Sequence, residues 1–273
     1  MIVYPNCKIN IGLKVLNKRK DGFHNLESVF LPVAWHDALE IIENKTKKAP
    51  KVTLSTSGLT IAGSETSNLC VKAYQLINKD YELPPIKLHL HKTIPMGAGL
   101  GGGSSDGTFT LKLLNQIFDL KLTSTQLSKY AVQLGSDCPF FLKNTPCFAS
   151  GRGEKLKKIA LKLTGTHIVI VYPNIHINTT AAFNNIIRTD YTFQLSNLSD
   201  LNMHDWRNNI NNDFEGYAFE QFPKLQKIKE QLYQNGAIYA SMSGSGSAIF
   251  GLFDSKIKIP KGWNQYAIFQ VIL

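Results

Sequence analysis

Several groups of residues in this 273-residue chain have types and spacing suited to chemistry. The largest is Pro95-Met96-Gly97-Ala98-Gly99-Leu100-Gly101-Gly102-Gly103-Ser104-Ser105-Asp106. A glycine run lets the backbone turn its N–H groups toward one point and removes the Cβ atoms that would hold a phosphate away. Ser104 and Ser105 either cap the helix that follows or lend hydroxyls to a phosphate or a metal. Lys8 and Asn10, two residues apart in an alternating stretch, share a face with Gly12. The alternation leaves open whether that face is solvated or lines a cleft. Asp137, in Ser136-Asp137-Cys138-Pro139-Phe140-Phe141, either caps a short turn or is a partly buried carboxylate placed as a base. Phe23-His24 follows the turn Arg19-Lys20-Asp21-Gly22. It is either a packed aromatic beside a surface imidazole or a stacking and hydrogen-bonding pair for a base. A second Gly/Ser loop, Ser241-Met242-Ser243-Gly244-Ser245-Gly246-Ser247, either closes a plain hairpin or offers N–H groups and hydroxyls to the same anion as the first.

The elements around the first loop give it its meaning. Ile86, Leu88 and Leu90 alternate with Lys87, His89 and His91, as in a half-exposed strand. Leu111, Leu114, Ile117 and Phe118 then recur at helical spacing. The order is strand, glycine loop, helix, and a helix start presents unpaired N–H groups that favour an anion. Gly97, Gly99 and Gly102 fit a G-x-G-x-x-G string. A dinucleotide site also needs a buried parallel strand before the loop and an acidic residue ending the next strand, and Asp119 ends none. The Walker pattern starting at Gly97 needs lysine where Gly103 stands, so phosphate charge must be met elsewhere in the chain.

The remaining chain reads as mixed helix and strand. Residues 2–16, Leu26 to Val33, Ala38 to Ile42 and Lys51 to Thr60 read as strands. Asn68 to Lys79 has helical spacing with Ser67 as its N-cap, and Thr123-Ser124 opens a helix that stops at Gly135. Phe148-Ala149-Ser150-Gly151-Arg152-Gly153-Glu154 is a glycine-rich turn near which we place a boundary, giving domains of residues 1–153 and 154–273. Ile168 to Tyr172 is an apolar strand. Thr179 to Ile187 is a short helix in which Phe183 faces either core or ligand. Residues 196–213, rich in Asn and Asp, read as an exposed connection. A helix runs from Phe222-Pro223 through Leu232, and Ala237 to Ala240 and Ala248 to Phe253 are strands flanking the second Gly/Ser loop.

Composition bounds the function. Hydrophobic content of 43% and charged content of 18% describe a soluble globular protein. No stretch approaches the roughly 20 apolar residues of a membrane span, and Met-Ile-Val-Tyr-Pro-Asn-Cys-Lys has no secretory pattern. Cys7, Cys70, Cys138 and Cys147 lack metal-binding spacing and suit a reducing cytoplasm. The net charge of +10 raises a nucleic-acid partner. Its densest runs, Lys18 to Lys20, Lys45 to Lys51 and Lys155 to Lys162, are separate and short, which favours a solvated basic surface that attracts a small anionic substrate.

Together, Lys8-Ile9-Asn10, Asp21-Gly22-Phe23-His24, Pro95 to Ser105, Leu134-Gly135-Ser136-Asp137 and Ser243-Gly244-Ser245-Gly246 resemble the galactokinase, homoserine kinase, mevalonate kinase and phosphomevalonate kinase (GHMP) superfamily over essentially the whole chain. The first two motifs and the long loop point to the branch that acts on 4-diphosphocytidyl-2-C-methyl-D-erythritol in the non-mevalonate isoprenoid pathway. That resemblance implies a two-domain α+β fold with its active site in the interdomain cleft. It implies ATP as phosphoryl donor, Mg²⁺, and transfer to the 2-hydroxyl of a small cytidine diphosphate substrate, with no nucleic-acid or membrane partner, by a monomer or homodimer. Lys8 and Asp137 match the catalytic pair, and Pro95 to Ser105 the loop around the ATP phosphates. Asn10 matches a pocket-lining residue, His24 the group that hydrogen-bonds cytosine, and Phe183 the ring that stacks on it. Cys7 stands where alanine is usual. Phe23 replaces tyrosine, and Asp106 replaces asparagine in what should be the helix's first turn, where its charge suits the dipole but opposes phosphate. The rival readings are a GHMP kinase for homoserine or mevalonate, and a basic RNA-binding module.

Overall fold

The computed structural model describes residues 1–186 and 193–273. The helical reading of Thr179 to Ile187 therefore ends, at Ile187, outside the described residues. In chain order the elements are β1 (Ile2–Val3), β2 (Asn6–Lys18), β3 (His24–His36), β4 (Ala38–Glu43), β5 (Val52–Gly58), α1 (Leu69–Tyr81), β6 (Ile86–Lys92), α2 (Gly102–Ile117), α3 (Ser124–Leu134) and α4 (Phe140–Lys143). There follow β7 (Cys147–Ser150), β8 (Lys155–Lys158), β9 (His167–Tyr172), α5 (Thr179–Asn184), α6 (Trp206–Asn209), α7 (Glu215–Gln221), α8 (Pro223–Gln234), β10 (Tyr239–Met242), β11 (Ile249–Phe253) and β12 (Ala267–Ile272). The described strands form three four-stranded sheets, ordered β1-β4-β6-β5, β2-β3-β7-β8 and β10-β11-β9-β12.

Contacts divide the chain into two compact units, neither of them a single stretch. One gathers Met1–Cys7, Ala34–Met96 and Gly101–Thr145; the other gathers Lys8–Val33, Gly97–Leu100 and Pro146–Leu273. This differs from the consecutive stretches 1–153 and 154–273 read from the sequence. β2 and β3 are each long enough to serve both units, which a glycine-rich turn at 151–153 does not reveal.

In the first unit, β6 runs parallel to β5 and antiparallel to β4. Ile86, Leu88 and Leu90 point to the buried face and pack with Leu39 and Ile41 of β4, Tyr74 and Ile77 of α1, and Leu111 and Leu114 of α2. Lys87 and His91 stay exposed, as the alternation predicts. The cap of α1 is Asn68, whose side chain accepts from the Cys70 N–H, rather than Ser67. A Thr123/Gln126 capping box starts α3.

The inward alternation of β6 continues to Lys92, which is 1% exposed. Its ammonium donates to Asp37 and, at 2.9 Å, to Asp106 of α2. Asp37 also accepts from the Thr93 and Ile94 N–H groups at 2.6 and 2.9 Å. The helix begins at Gly102, so Asp106 lies beyond its first turn, buried on Lys92. The charge expected at the helix entrance is therefore spent inside the unit. One buried cation faces two buried carboxylates. Burial pushes the Asp106 carboxyl up, Lys92 pulls it back and Asp37 pushes it up again, leaving it raised to about 7. Burial lowers the Lys92 ammonium, but Asp106 and Asp37 outweigh it and hold it above its ordinary value.

In the second unit, β9 is the apolar centre of an antiparallel sheet, with β11 on one side and β12 on the other. Val169, Val171, Ile249 and Met242 pack against Leu225, Ile228 and Leu232 of α8 and Phe214. The Asn/Asp-rich stretch 196–213 is not the exposed connection its composition suggests. Leu198, Trp206 and Ile210 are buried, and Asn212 and Asp213 are each 2% exposed. Asp213 accepts from the Val15 N–H at 2.7 Å, and Asn212 donates to the Met242 and Gly244 carbonyls at 2.8 Å.

The raised Asp106 carboxyl has a consequence for stability. Its folded value exceeds the ordinary 3.8, so its contribution is fully present below that pH and is lost as pH rises through about 7. In urea unfolding at pH 5 and pH 8, the wild-type protein should lose on the order of 2 kcal/mol more than Asp106→Asn between the two pH values. Equal losses would mean that Asp106 does not titrate between pH 5 and pH 8.

Candidate active site

Within the second unit, Lys8 and Asn10 point inward, so the face they share is not solvated. They are 3% and 2% exposed. The Lys8 ammonium donates to Asn10 Oδ1 at 2.5 Å and to the Gly99 carbonyl at 3.2 Å, and lies 4.9 Å from the centre of the Phe30 ring. Asn10 is oriented by its other end. Its Nδ2 donates to Ser28 Oγ, which donates on to the Gly12 carbonyl. The amide oxygen is thereby left for Lys8. Ser243 closes the arrangement, its hydroxyl accepting from the Asn10 N–H at 3.2 Å and donating to the Gly99 carbonyl at 2.9 Å. The loop is further tied by the Lys8 N–H to the Leu100 carbonyl and by the Ala248 N–H to the Ala98 carbonyl.

The second Gly/Ser loop therefore does more than close a hairpin: it is the bed on which residues 97–100 lie. Gly99 has φ +77°, and a Cβ there would stand 1.9 Å from the Ser243 carbonyl oxygen. No side chain fits. Ser28 and Asn212, which support this bed, were not singled out from the sequence.

The aromatic candidates also come together in this unit. His24 and Phe183 stack with ring centroids 5.0 Å apart and planes 9° from parallel, and Phe183 rests edge-on against Phe214 at 4.8 Å. Phe23 is 52% exposed. The Arg152 guanidinium sits 4.8 Å from the centre of its ring.

The first unit holds the remaining candidates. Pro95, Met96 and Gly101 to Ser105 belong to it, with Gly101 (φ +68°) preceding α2. No side chain caps that helix, so its first N–H groups are directed at whatever lies before it. Ser105 Oγ is buried with no hydrogen-bond partner. Among the described residues no cluster of three or more His, Cys, Asp and Glu side chains is placed to hold a metal. The Ser105 hydroxyl is an oxygen donor of the kind Mg²⁺ accepts, and Mg²⁺ commonly takes most of its other ligands from phosphates and water. The chain's own residues thus fit a metal brought with a nucleotide. Asp137 lies half-buried in the turn between α3 and α4, and the cap position of α4 is Pro139, so the carboxylate is not spent as that cap. A cavity of about 120 Å³ beside the start of α2 is lined by Ile61, Leu69, Leu90, Lys92, Met96 and Asp106, among others. Lys92 was missed in the sequence, although its period-two position on β6 placed it on the buried face.

The GHMP kinases N terminal domain matches residues 68–145, and the GHMP kinases C terminal domain matches residues 195–268. The 4-diphosphocytidyl-2-C-methyl-D-erythritol kinase of Bacteroides fragilis is 48% identical over 262 residues, 96% of this chain and 95% of that one. The chain belongs to the 4-diphosphocytidyl-2-C-methyl-D-erythritol kinase family of the GHMP kinases. A solved 4-(cytidine 5'-diphospho)-2C-methyl-D-erythritol kinase has the same fold, with a TM-score of 0.73 at 31% identity, covering 92% of this chain and 90% of that one. The mevalonate kinase of Methanococcus jannaschii matches with a TM-score of 0.67 over 100% of this chain and 98% of its own, but at 14% identity it shares the fold alone. GHMP kinases use ATP as phosphoryl donor, and the α+β architecture is the one expected from the motifs.

For this GHMP kinase the seating of Gly99 is a sharp test. Gly99→Ala should weaken ATP binding about tenfold or more while leaving far-UV circular dichroism unchanged, because the loop must lift from the Ser243 carbonyl. Unchanged affinity for ATP would show that residues 97–100 do not shape the phosphate site.

Proposed function

We propose that this protein transfers the γ-phosphate of ATP to the 2-hydroxyl of 4-diphosphocytidyl-2-C-methyl-D-erythritol, a step of isopentenyl diphosphate synthesis by the non-mevalonate pathway. The observation that supports it best is the buried Lys8–Asn10–Gly99 arrangement, which ties a motif lysine to the glycine loop inside a chain of this family.

Phosphoryl transfer depends on positioning and charge stabilisation more than on covalent chemistry. Residues Pro95 to Ser105 bind the ATP phosphates through backbone N–H groups and the open start of α2. The Ser105 hydroxyl would help hold Mg²⁺ with the phosphates, and the bound ion would neutralise phosphate charge. Asp137 takes the proton from the substrate hydroxyl. Lys8 favours the ionised carboxylate and stabilises the nascent alkoxide, since a nearby cation favours the negative form of both. Asn10 fixes the Lys8 ammonium. His24 hydrogen-bonds the cytosine, Phe183 supplies its stacking surface, and Phe23 flanks the same subsite. The cavity lined by Leu69, Met96 and Lys92 receives the adenine. Four buried free cysteines, and the lack of a helix long and apolar enough to cross a membrane among the described residues, suit work in the cytoplasm.

The direct test is ATP turnover with Mg²⁺ on the cytidine substrate, homoserine and mevalonate side by side. Activity on the cytidine compound alone is expected; activity only on another alcohol would sink the substrate assignment. Asp137→Asn should lower kcat by about a thousandfold or more with ATP binding retained, and near-normal turnover would remove Asp137 from the chemistry. His24→Ala should raise KM for the cytidine substrate about tenfold and leave KM for ATP within about twofold; equal effects on both would count against a cytosine contact.

A further inference from the structure

The acceptor proposed above carries a diphosphate, and the residues assigned to it so far are aromatic or neutral apart from Lys8 and Asp137, which serve its hydroxyl. A charged group should meet that diphosphate, since bidentate guanidinium–phosphate contacts are among the strongest polar interactions available to a side chain. The turn between β7 and β8 holds such a group in place. Glu154 folds back so that its Oε2 accepts the Arg152 N–H at 2.6 Å. A Cβ on Gly151 would lie 2.9 Å from the same oxygen, so the carboxylate fills the inside of the turn. The Gly151 carbonyl in turn accepts the Leu26 N–H at 2.7 Å, which anchors the turn to the strand that carries His24.

The guanidinium of Arg152 is set over the Phe23 ring at 4.8 Å. The neighbouring acids are engaged with other groups. Asp21 accepts from Arg19 Nε and Nη2 at 3.0 and 2.9 Å and from the Phe23 N–H at 3.2 Å. Glu154 receives the backbone of Arg152 rather than its side chain. Among the described residues Arg152 makes no ion pair. It is a half-buried cation, oriented by its own backbone and an aromatic face, with its hydrogen-bonding edge unspent.

We propose that Arg152 is a specificity-determining residue, whose guanidinium binds the diphosphate of the acceptor while Phe23, His24 and Phe183 hold its base. This rests on the reading of those three rings as the cytidine subsite. The Phe23 ring, 52% exposed, then has a second purpose as the platform that orients the planar guanidinium.

Titration calorimetry with cytidine and with CDP separates the parts. The wild-type protein should bind CDP more tightly than cytidine. Arg152→Ala should weaken CDP about tenfold and change cytidine by less than about twofold, erasing the preference, and Arg152→Lys should restore part of it. In turnover, Arg152→Ala should raise KM for the cytidine substrate and leave kcat and KM for ATP in place. A CDP-to-cytidine preference unchanged in Arg152→Ala would overturn the proposal while leaving the base subsite standing. Failure of both ligands to bind the wild-type protein would overturn the subsite and the proposal together. Arg152→Gln, which keeps the stem and the backbone contact to Glu154, repeats the test should the alanine variant fold poorly.

Discussion

The contact between Gly99 and Ser243 is the constraint on which the second unit's site depends. Two backbones approach so closely there that no side chain can be interposed, and the Ser243 hydroxyl closes the gap with a hydrogen bond. Because the Gly99 carbonyl is fixed in this way, it can serve as one of the acceptors for the Lys8 ammonium. Because Ser243 also receives the Asn10 N–H, the strand that carries Lys8 is held to the same bed. Beneath it, Asn212 satisfies the carbonyls of Met242 and Gly244, so the bed does not bury unpaired backbone groups.

Much of this was legible in the sequence. The strand–glycine–helix order was read correctly around residues 95–105, the period-two pattern put Lys8 and Asn10 on one face, and the proline at 223 marked the start of α8. What could not be read depends on residues distant in the chain. Asn212 and Asp213 lie in a stretch whose composition says surface, and only the carbonyls and N–H groups they meet from residues 242, 244 and 15 explain their burial. Asp106 looked like a helix-dipole residue because its partner Lys92 was overlooked in the sequence. The alternation Ile86, Leu88, Leu90, Lys92 carried that information, since a lysine in register with buried residues must find a buried anion. Substrate chemistry was legible only through likeness to a family, because stacking rings and a hydrogen-bonding imidazole are common to many cores.

Charge is used differently inside the molecule and on it. The surface lysines that give the net charge of +10 are spread among turns and edges, suited to drawing in anions of any kind. The buried charges are few and individually placed. Lys92 lies between Asp37 and Asp106, Glu215 accepts from Lys229, Ser241 and the Met242 N–H, and Asp213 accepts a backbone N–H of β2. Each ties together segments far apart in sequence, which is where a buried ionic group gives specificity at a cost in desolvation.

The discontinuity of the two units sets the order in which they can be completed during synthesis. The first unit has all its segments once Thr145 has left the ribosome. The second begins at Lys8, almost as early, yet its sheet β10-β11-β9-β12 lacks β12 until residues 267–272 are made. Its opening strands can pair with each other and with β7 and β8 well before then, but the loop residues 97–100 must wait for Ser243 and Ala248, and until those are made they stay open to chaperones and proteases.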